Sequence, residues 1–229
     1  MKIGGLLRTS LIDYPGLISA VIFTQGCNFR CPYCHNPELV DLTDHTIDFS
    51  EEEIFSFLER RKNLLDGVVI TGGEPTLHKD LPRYLAKYKK LGYRIKLDTN
   101  GTDPDVIKIL LDEQLVDYIA MDLKAPFDKY PSVTGVNFDL EKVKATVTLI
   151  SKATIDIEFR TTVVENLHSE EDIIKISNMV PVGRRFVIQR FEPTETLDKE
   201  YKNRRTISDL SMAKIQERFK QETINYAIR

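Results

Sequence analysis

Residues 67–98 read GVVITGGEPTLHKDLPRYLAKYKKLGYRIKLD and contain a strand, a helix and a second strand. The apolar, β-branched run 67–71 predicts a buried strand, Asp80–Leu91 has the apolar spacing of a helix, and Tyr93–Asp98 predicts the next strand. Gly92 stands where a helix C-terminal glycine is expected. Two successive strands joined by a helix pair in parallel, so this stretch predicts an α/β fold.

The same alternation extends over most of the chain. Apolar runs predict four more strands, at Leu17–Thr24, Asp117–Asp122, Thr154–Val164 and Arg185–Arg190. Segments of helical period predict further helices at Glu51–Lys62, Pro104–Glu113, Leu140–Ser151, Glu170–Asn178 and about Ser208–Asn225. Six strand–helix units require a parallel sheet but fall short of the eight of a closed barrel. We expect a partial (β/α)6 TIM-like barrel, open on one side, with a doubly wound open sheet as the alternative.

Composition and charge place the chain among soluble globular proteins. Its 229 residues, 41% hydrophobic and 29% charged, predict a single domain over 1–229 with a core at about 17–190. We expect a loop at 191–205 and a C-terminal helical extension at about 206–229. The net charge of −3 is scattered, which argues against a nucleic-acid partner. Neither a signal peptide nor a run of ~20 apolar residues is found, so we expect a cytoplasmic protein without a membrane partner.

The cysteines carry the strongest chemical signal. All three lie in CNFRCPYC, as Cys27, Cys31 and Cys34, directly after the first predicted strand. An odd, tightly spaced set does not form a disulfide framework and points to a metal. Three thiolates can bind a cubane [4Fe–4S] cluster, which ordinarily takes four cysteines, and the fourth iron is then left without a protein ligand. An open position on a metal is where a substrate can bind.

Zinc is the main alternative for this triplet. His35, His45 or His78 could add the fourth ligand, because thiolate and imidazole suit zinc. Structural zinc sites usually consist of two separated ligand pairs, whereas this loop is one compact triplet. The spacing therefore favours the cluster over zinc, and zinc over three unrelated buried cysteines.

The motifs together resemble those of the radical S-adenosylmethionine (SAM) superfamily. CNFRCPYC matches the C-x3-C-φ-x-C signature, with Tyr33 at the aromatic position, where it is expected among the cofactor contacts. TSLIDYPG, FTQGCNFRCPYCHNPEL, TGGEP, LDTNG and MDLK are similar to glycyl-radical-enzyme activating proteins, above all those of anaerobic ribonucleoside-triphosphate reductase. The resemblance covers roughly residues 3–190.

Gly72, Gly73 and Glu74 end the second predicted strand, where glycines let a backbone approach a ligand closely. Taken alone, such a stretch is more often a tight turn. The resemblance implies that Gly72, Gly73 and Glu74 bind the amino group of SAM, whose amine and carboxylate would chelate the open iron.

Charged residues end the next two predicted strands. Asp98 and Asp122 could cap the following helices, yet two carboxylates at neighbouring strand ends repel unless a cation or ligand separates them. The resemblance implies that Asp98, Thr99 and Asp122 bind SAM or a monovalent cation, and that Lys124 faces the same pocket.

The fifth and sixth predicted strands supply the remaining candidates. Arg160 could be a solvated edge residue, although its planar donor fork suits a carboxylate. The resemblance assigns Arg160 to the SAM carboxylate or ribose, Thr162 and Val163 to the adenosine, and Gln189 to the ribose. His35 is expected to donate a hydrogen bond near a cluster sulfur or to shape the loop.

The activity implied by the resemblance is radical generation. An external donor, a flavodoxin or ferredoxin, would reduce the cluster, and SAM would be cleaved to a 5′-deoxyadenosyl radical that makes a glycyl radical on a partner enzyme. No further cysteines exist for an extra-cluster module, which favours the activases of ribonucleotide reductase or pyruvate formate-lyase. The alternatives are a small-molecule enzyme such as 7-carboxy-7-deazaguanine synthase and a non-catalytic electron carrier or zinc module.

Overall fold

The protein was analysed as a computed structural model, which describes residues 1–41, 49–192 and 194–229. Within these ranges eight strands form one sheet in which neighbours follow chain order. They are β1 (Ile3–Ser10), β2 (Ser19–Thr24), β3 (Gly67–Gly72), β4 (Arg94–Thr99), β5 (Tyr118–Asp122), β6 (Asp156–Val163), β7 (Arg185–Arg190) and β8 (Tyr226–Ile228). β1 is antiparallel to β2, and every later pair is parallel.

The helices lie between the strands. They are α1 (Glu51–Arg61), α2 (Leu81–Lys90), α3 (Pro104–Asp112), α4 (Tyr130–Thr134), α5 (Leu140–Ser151), α6 (Glu170–Ser177) and α7 (Asp209–Gln221). Ser50 begins α1 with a capping box, since its side chain accepts from the Glu53 N–H and the Glu53 carboxylate accepts from the Ser50 N–H. Gly92, with φ +95°, follows α2 as predicted. No helix in the described ranges is long and apolar enough to cross a membrane.

The strand order separates the two folds that the sequence left open. A doubly wound sheet reverses its order at a switch point, whereas here each parallel strand lies beside the one before it. The predicted partial (β/α) barrel is therefore confirmed. β1 and β8 are the two edges of the sheet, which leaves the barrel open.

Several described elements were not predicted, among them α4, which follows β5. β1 contains Gly4 and Gly5 and has a weak strand pattern, but its pairing with β2 fixes it as a strand. The predicted C-terminal helix ends at Gln221, and after Thr223, whose φ is +55°, the chain returns to the sheet as β8. The segment 191–205, predicted to be a loop, contains a short 3-10 helix at Lys199–Asn203.

Alternate residues of each strand face opposite sides of the sheet. The large core lies between the sheet and the helices and contains, for example, Ile95 and Leu97 of β4. A small apolar cluster on the other, concave face contains Tyr14, Val21, Val69, Tyr118 and Ala120. By the same alternation, the concave face also carries the charged side chains of β4, β5 and β6.

Candidate active site

The cysteine loop, residues 26–34, is held by main-chain hydrogen bonds to the segment that follows it and to distant parts of the chain. Its main-chain hydrogen bonds run from Gly26 N–H to Leu39 C=O (2.7 Å), Cys27 N–H to Val40 C=O (3.0 Å), Arg30 N–H to Thr134 C=O (2.8 Å), Leu197 N–H to Cys34 C=O (3.2 Å) and Asp198 N–H to Pro32 C=O (2.9 Å). The loop is thus fixed from both flanks by the protein's own backbone.

The two glycines of the GGEP turn are needed for packing against this loop. Gly73 N–H donates to Thr24 C=O at 2.8 Å and Glu74 N–H to Gly26 C=O at 2.7 Å. A Cβ on Gly73 would lie 2.1 Å from the Gly26 oxygen, and Gly72 has φ +110°. The absence of a side chain at Gly73 thus lets this turn pack closely against the cysteine loop.

Glu74 joins the ends of β3 and β4. Its side chain is 1% exposed and accepts four hydrogen bonds, from Thr76 N–H (3.1 Å), Thr76 Oγ1 (2.6 Å), Thr99 Oγ1 (2.8 Å) and Asn100 N–H (2.6 Å). Burial raises the pKa of Glu74, although these bonds oppose the shift. The carboxylate thus braces one wall of the site, and Thr99, predicted to contact SAM or a cation, bonds to it.

One cleft collects nearly all the candidate residues. It encloses about 880 Å³ including its open mouth, within the size range of ligand pockets. The candidates that line it are Cys27, Cys31, Tyr33, Cys34, His35, Gly72, Gly73, Glu74, Asp98, Thr99, Asp122, Lys124, Arg160 and Thr162. Two of the named candidates are absent from that lining: Gln189, and Val163, which is buried in the large core.

Charged groups of alternating sign form a row at the strand ends, and Asp98, Asp122, Lys124 and Arg160 of this row line the cleft. Asp98 binds Lys96 Nζ through Oδ1 (2.5 Å) and Arg160 Nη1 through Oδ2 (3.1 Å). Asp122 binds Arg160 Nε through Oδ1 (2.9 Å) and Lys124 Nζ through Oδ2 (2.8 Å). Arg160 therefore lies between the two aspartates and offsets the repulsion between them. We call these five residues the charge chain.

The charge chain holds its members ionised. Burial alone would raise the pKa of each aspartate, but Arg160 and a lysine outweigh it and lower the pKa of Asp98, and that of Asp122 to about 2. Burial opposes the charge on Lys124, yet Asp122 raises its pKa. The cleft thus presents fixed cations at neutral pH.

The zinc alternative does not fit the described residues. Ligands of a single zinc ion, with bonds near 2.3 Å, lie within about 4 Å of one another. No three His, Cys, Asp or Glu side chains in the described ranges can hold one ion in this way. His78 Nε2 lies 3.0 Å from the Gln25 C=O, and His35 stacks on Phe191 with ring centres 5.0 Å apart. His45 lies outside the described residues.

Two features bear on how the cleft would hold a cluster and a cofactor. Burial raises the pKa of Cys27 to about 12 and that of Cys31 to about 11, so these thiols become thiolates only with a bound cation. The Tyr33 hydroxyl is buried without a hydrogen-bond partner among the described residues. The residues of all three thiols line the one cleft, where a bound metal would stabilise their thiolate forms.

Several supporting residues were missed by the sequence interpretation. Asn28 of the cysteine loop bonds to Asn100 and Thr102 beyond β4. His168, 3% exposed, lies 2.8 Å from Lys124 C=O through Nε2 and accepts from Val164 N–H through Nδ1 at 3.2 Å. The sequence suggests only a turn at Asn100, and nothing near His168 in the sequence signals a site.

A half-open parallel barrel with one buried and two half-buried thiols and fixed charges in one cleft defines an enzyme in which a metal cluster and an organic cofactor share a cavity. Residues 21–180 match the Radical SAM superfamily, and the chain belongs to this family. Membership implies a [4Fe–4S] cluster and SAM as cofactors.

Relatives and solved structures agree with this assignment. A protein of Methanocaldococcus jannaschii, named as a glycyl-radical enzyme activating enzyme, is 42% identical over 205 residues, 87% of this chain and 84% of that protein. The pyruvate formate-lyase-activating enzyme of Clostridium pasteurianum is 30% identical over 189 residues, 78% of this chain and 76% of that enzyme. SuiB of Streptococcus suis bound to its precursor peptide has the same fold (TM-score 0.70, 16% identity), matched over 91% of this chain and 48% of SuiB. This chain thus spans about half of SuiB.

Proposed function

We propose that the protein activates a glycyl radical enzyme, most directly an anaerobic ribonucleoside-triphosphate reductase. The observation that carries the proposal is the cleft itself, in which three thiols, one buried and two half-buried, lie beside the charge chain on the open side of a barrel. The identity to activating enzymes over most of their length supports it.

The thiols of Cys27, Cys31 and Cys34 are the ligands of the cluster in this proposal. When bound, the cluster and SAM supply a carbon-centred radical that abstracts a hydrogen atom. Arg160 and Lys124 offer cationic donors to the SAM carboxylate, since Arg160 Nη2 takes no part in its two ion pairs.

The remaining side chains orient the cofactor and exclude water from it. Residues 72–74 present main-chain groups to the SAM amine while Glu74 braces them. Tyr33 and Thr162 line the same cleft and would flank the adenosine.

The shape of the site supports a polypeptide as the substrate. A target glycine lies in a polypeptide, and the open side of the barrel leaves room for a peptide loop to reach the cleft. A flavodoxin or ferredoxin is the proposed electron donor. Pyruvate formate-lyase is the alternative partner, because its activating enzyme also matches this chain. The similarity to 7-carboxy-7-deazaguanine synthase of Aquifex aeolicus covers only 38% of the chain.

The test is glycyl radical formation under anaerobic conditions. The cluster-reconstituted protein, SAM and a chemical reductant are mixed in turn with an anaerobic ribonucleotide reductase and with pyruvate formate-lyase, and electron paramagnetic resonance is recorded. A doublet with the reductase that is absent with Cys31→Ala supports the proposal. A doublet only with pyruvate formate-lyase moves the assignment to that partner. SAM cleavage without a radical on either enzyme refutes it.

A further inference from the structure

All four carboxylate oxygens of Asp98 and Asp122 are occupied by the protein's own cations. Asp98 binds Lys96 and Arg160, at 2.5 and 3.1 Å, and Asp122 binds Arg160 and Lys124, at 2.9 and 2.8 Å. The monovalent cation that the resemblance implied at these aspartates would therefore share every carboxylate oxygen with a lysine or arginine of the protein.

We infer that the protein binds SAM without a monovalent cation, because Lys96 supplies the charge that such an ion would bring to Asp98. Lys96 is then a positioning residue: it does not line the cleft and acts through Asp98. The inference rests on SAM as the cofactor and is independent of which partner enzyme is activated.

The burial of Lys96 makes its ammonium group a fixed charge. Its side chain is 3% exposed, and Nζ lies 5.8 Å from the centre of the Tyr118 ring. Tyr118 is held in turn by a 2.8 Å hydrogen bond from its hydroxyl to Glu158, which is fully buried. With only 3% of its side chain exposed, Lys96 would lose these contacts on leaving Asp98, which a surface lysine would not.

Electrostatics also oppose an added ion. The charge chain contains three cations and two carboxylates, so its net charge is already positive. A potassium or sodium ion placed between the aspartates would face three like charges at short range, in a site where water screens them poorly. An anionic group, such as the carboxylate of SAM, matches the net charge.

The inference is tested by SAM binding to the cluster-reconstituted protein with its cluster oxidised, so that no turnover occurs. The dissociation constant is measured by equilibrium dialysis in potassium chloride and in tetramethylammonium chloride at equal ionic strength. We expect the two constants of the wild type to agree within about twofold, since the larger ion cannot replace potassium at a carboxylate site. A wild type that binds SAM about fivefold or more tightly in potassium overturns the inference.

Substitution of Lys96 provides a second test of the inference. Lys96→Met frees one oxygen of Asp98, and we expect SAM binding to weaken about tenfold in tetramethylammonium and to recover in potassium. Lys96→Arg keeps the charge and should stay independent of the cation. Lys108→Met is the matched control, because Lys108 pairs with Asp112 on the exposed face of α3, far from the cleft.

The outcomes separate this inference from the proposed function. A Lys96→Met variant that binds SAM as the wild type does in both salts shows that Lys96 does not replace an ion. If Lys96→Met fails to fold, the wild-type and Lys96→Arg measurements still show whether SAM binding depends on potassium. No partner enzyme is present, so failure to form a glycyl radical elsewhere leaves these results unchanged.

Discussion

The side-chain amide of Asn100 donates a 2.8 Å hydrogen bond to the amide oxygen of Asn28. Asn28 is the residue after Cys27, and Asn100 follows β4, so this bond joins the cysteine loop to the wall of the cleft. Asn28 also donates to Thr102 Oγ1 at 2.8 Å. The order of the cysteine loop therefore depends on two polar side chains from another strand end.

Asn28→Ala should weaken both the fold and the cluster site. It leaves Asn100 and Thr102, which are 5% and 7% exposed, each without one partner, at a cost of about 2 kcal/mol in the free energy of unfolding. Urea unfolding of the cluster-free protein measures this loss, and iron content after gel filtration measures cluster retention. Unchanged stability would show that water replaces Asn28 in this network.

Gly73→Ala should disrupt the GGEP turn. The new Cβ would meet the Gly26 oxygen at 2.1 Å, and backbone cannot move away as a side chain can. We expect a loss of about 3 kcal/mol in stability, together with loss of SAM binding. Gly5→Ala is the control, because its Cβ would lie 3.3 Å from the Phe23 side chain and should cost far less. Equal effects of the two substitutions would contradict the packing role of Gly73.

Arg160→Lys should destabilise the protein even though it keeps the positive charge. A single ammonium has one nitrogen in place of the two that Arg160 directs at Asp98 and Asp122, so at least one of the two ion pairs is weakened. We expect a loss of about 3 kcal/mol in the free energy of unfolding. The combination Arg160→Met with Asp122→Asn should cost less than the sum of the two single changes, since the charges are removed together. Additive costs would mean that the pair is not coupled.

Tyr33→Phe should not destabilise the cluster-free protein. The Tyr33 hydroxyl is buried without a partner among the described residues, so its removal relieves a desolvation cost of about 1 kcal/mol. A thermal melt of the cluster-free variant should therefore match or exceed that of the wild type. A clear fall in melting temperature would reveal a partner for the hydroxyl in the protein itself.

His168 should make stability depend on pH. Burial lowers its pKa from 6.5, so the unfolded chain binds a proton more readily than the folded one. The stabilising contribution is complete above pH 6.5 and is lost as the pH falls through the lowered pKa. The free energy of unfolding should thus decrease from about pH 7 to about pH 5.

His168→Gln should reduce this decrease. His35 and His78, whose pKa values burial also lowers, would still titrate and account for what remains. Urea unfolding at a series of pH values compares the two proteins. An identical pH dependence in the variant would show that the imidazole is not held neutral by its two main-chain contacts.

Much of the fold follows from local pattern. The run 67–71 predicts a strand and Gly67–Gly72 is observed, because a short β-branched run between turn residues favours a buried parallel strand. β1 and β8 could not be predicted in this way. Each is a weak strand on its own and is stabilised by main-chain pairing with β2 or β7, which is a tertiary interaction.

The sequence predicts which residues form the site better than it predicts which of them contact one another. The spacing of Cys27, Cys31 and Cys34 is a local feature, and it predicts three cluster ligands without reference to the rest of the chain. The position of Arg160 between the aspartates depends on the register of β6, which places Arg160 directly opposite Asp122. Register arises from the packing of whole strands, so local sequence does not indicate that Arg160 serves as the separating cation.

The anchoring of the cysteine loop has a consequence for biosynthesis. Strand order equals chain order, so each parallel strand can join the sheet as it leaves the ribosome. The loop at residues 26–34 emerges early, yet two of its main-chain bonds come from Leu197 and Asp198. The nascent protein therefore exposes an incompletely held set of thiols during most of its synthesis, and the loop reaches its full set of main-chain bonds only near the end of translation.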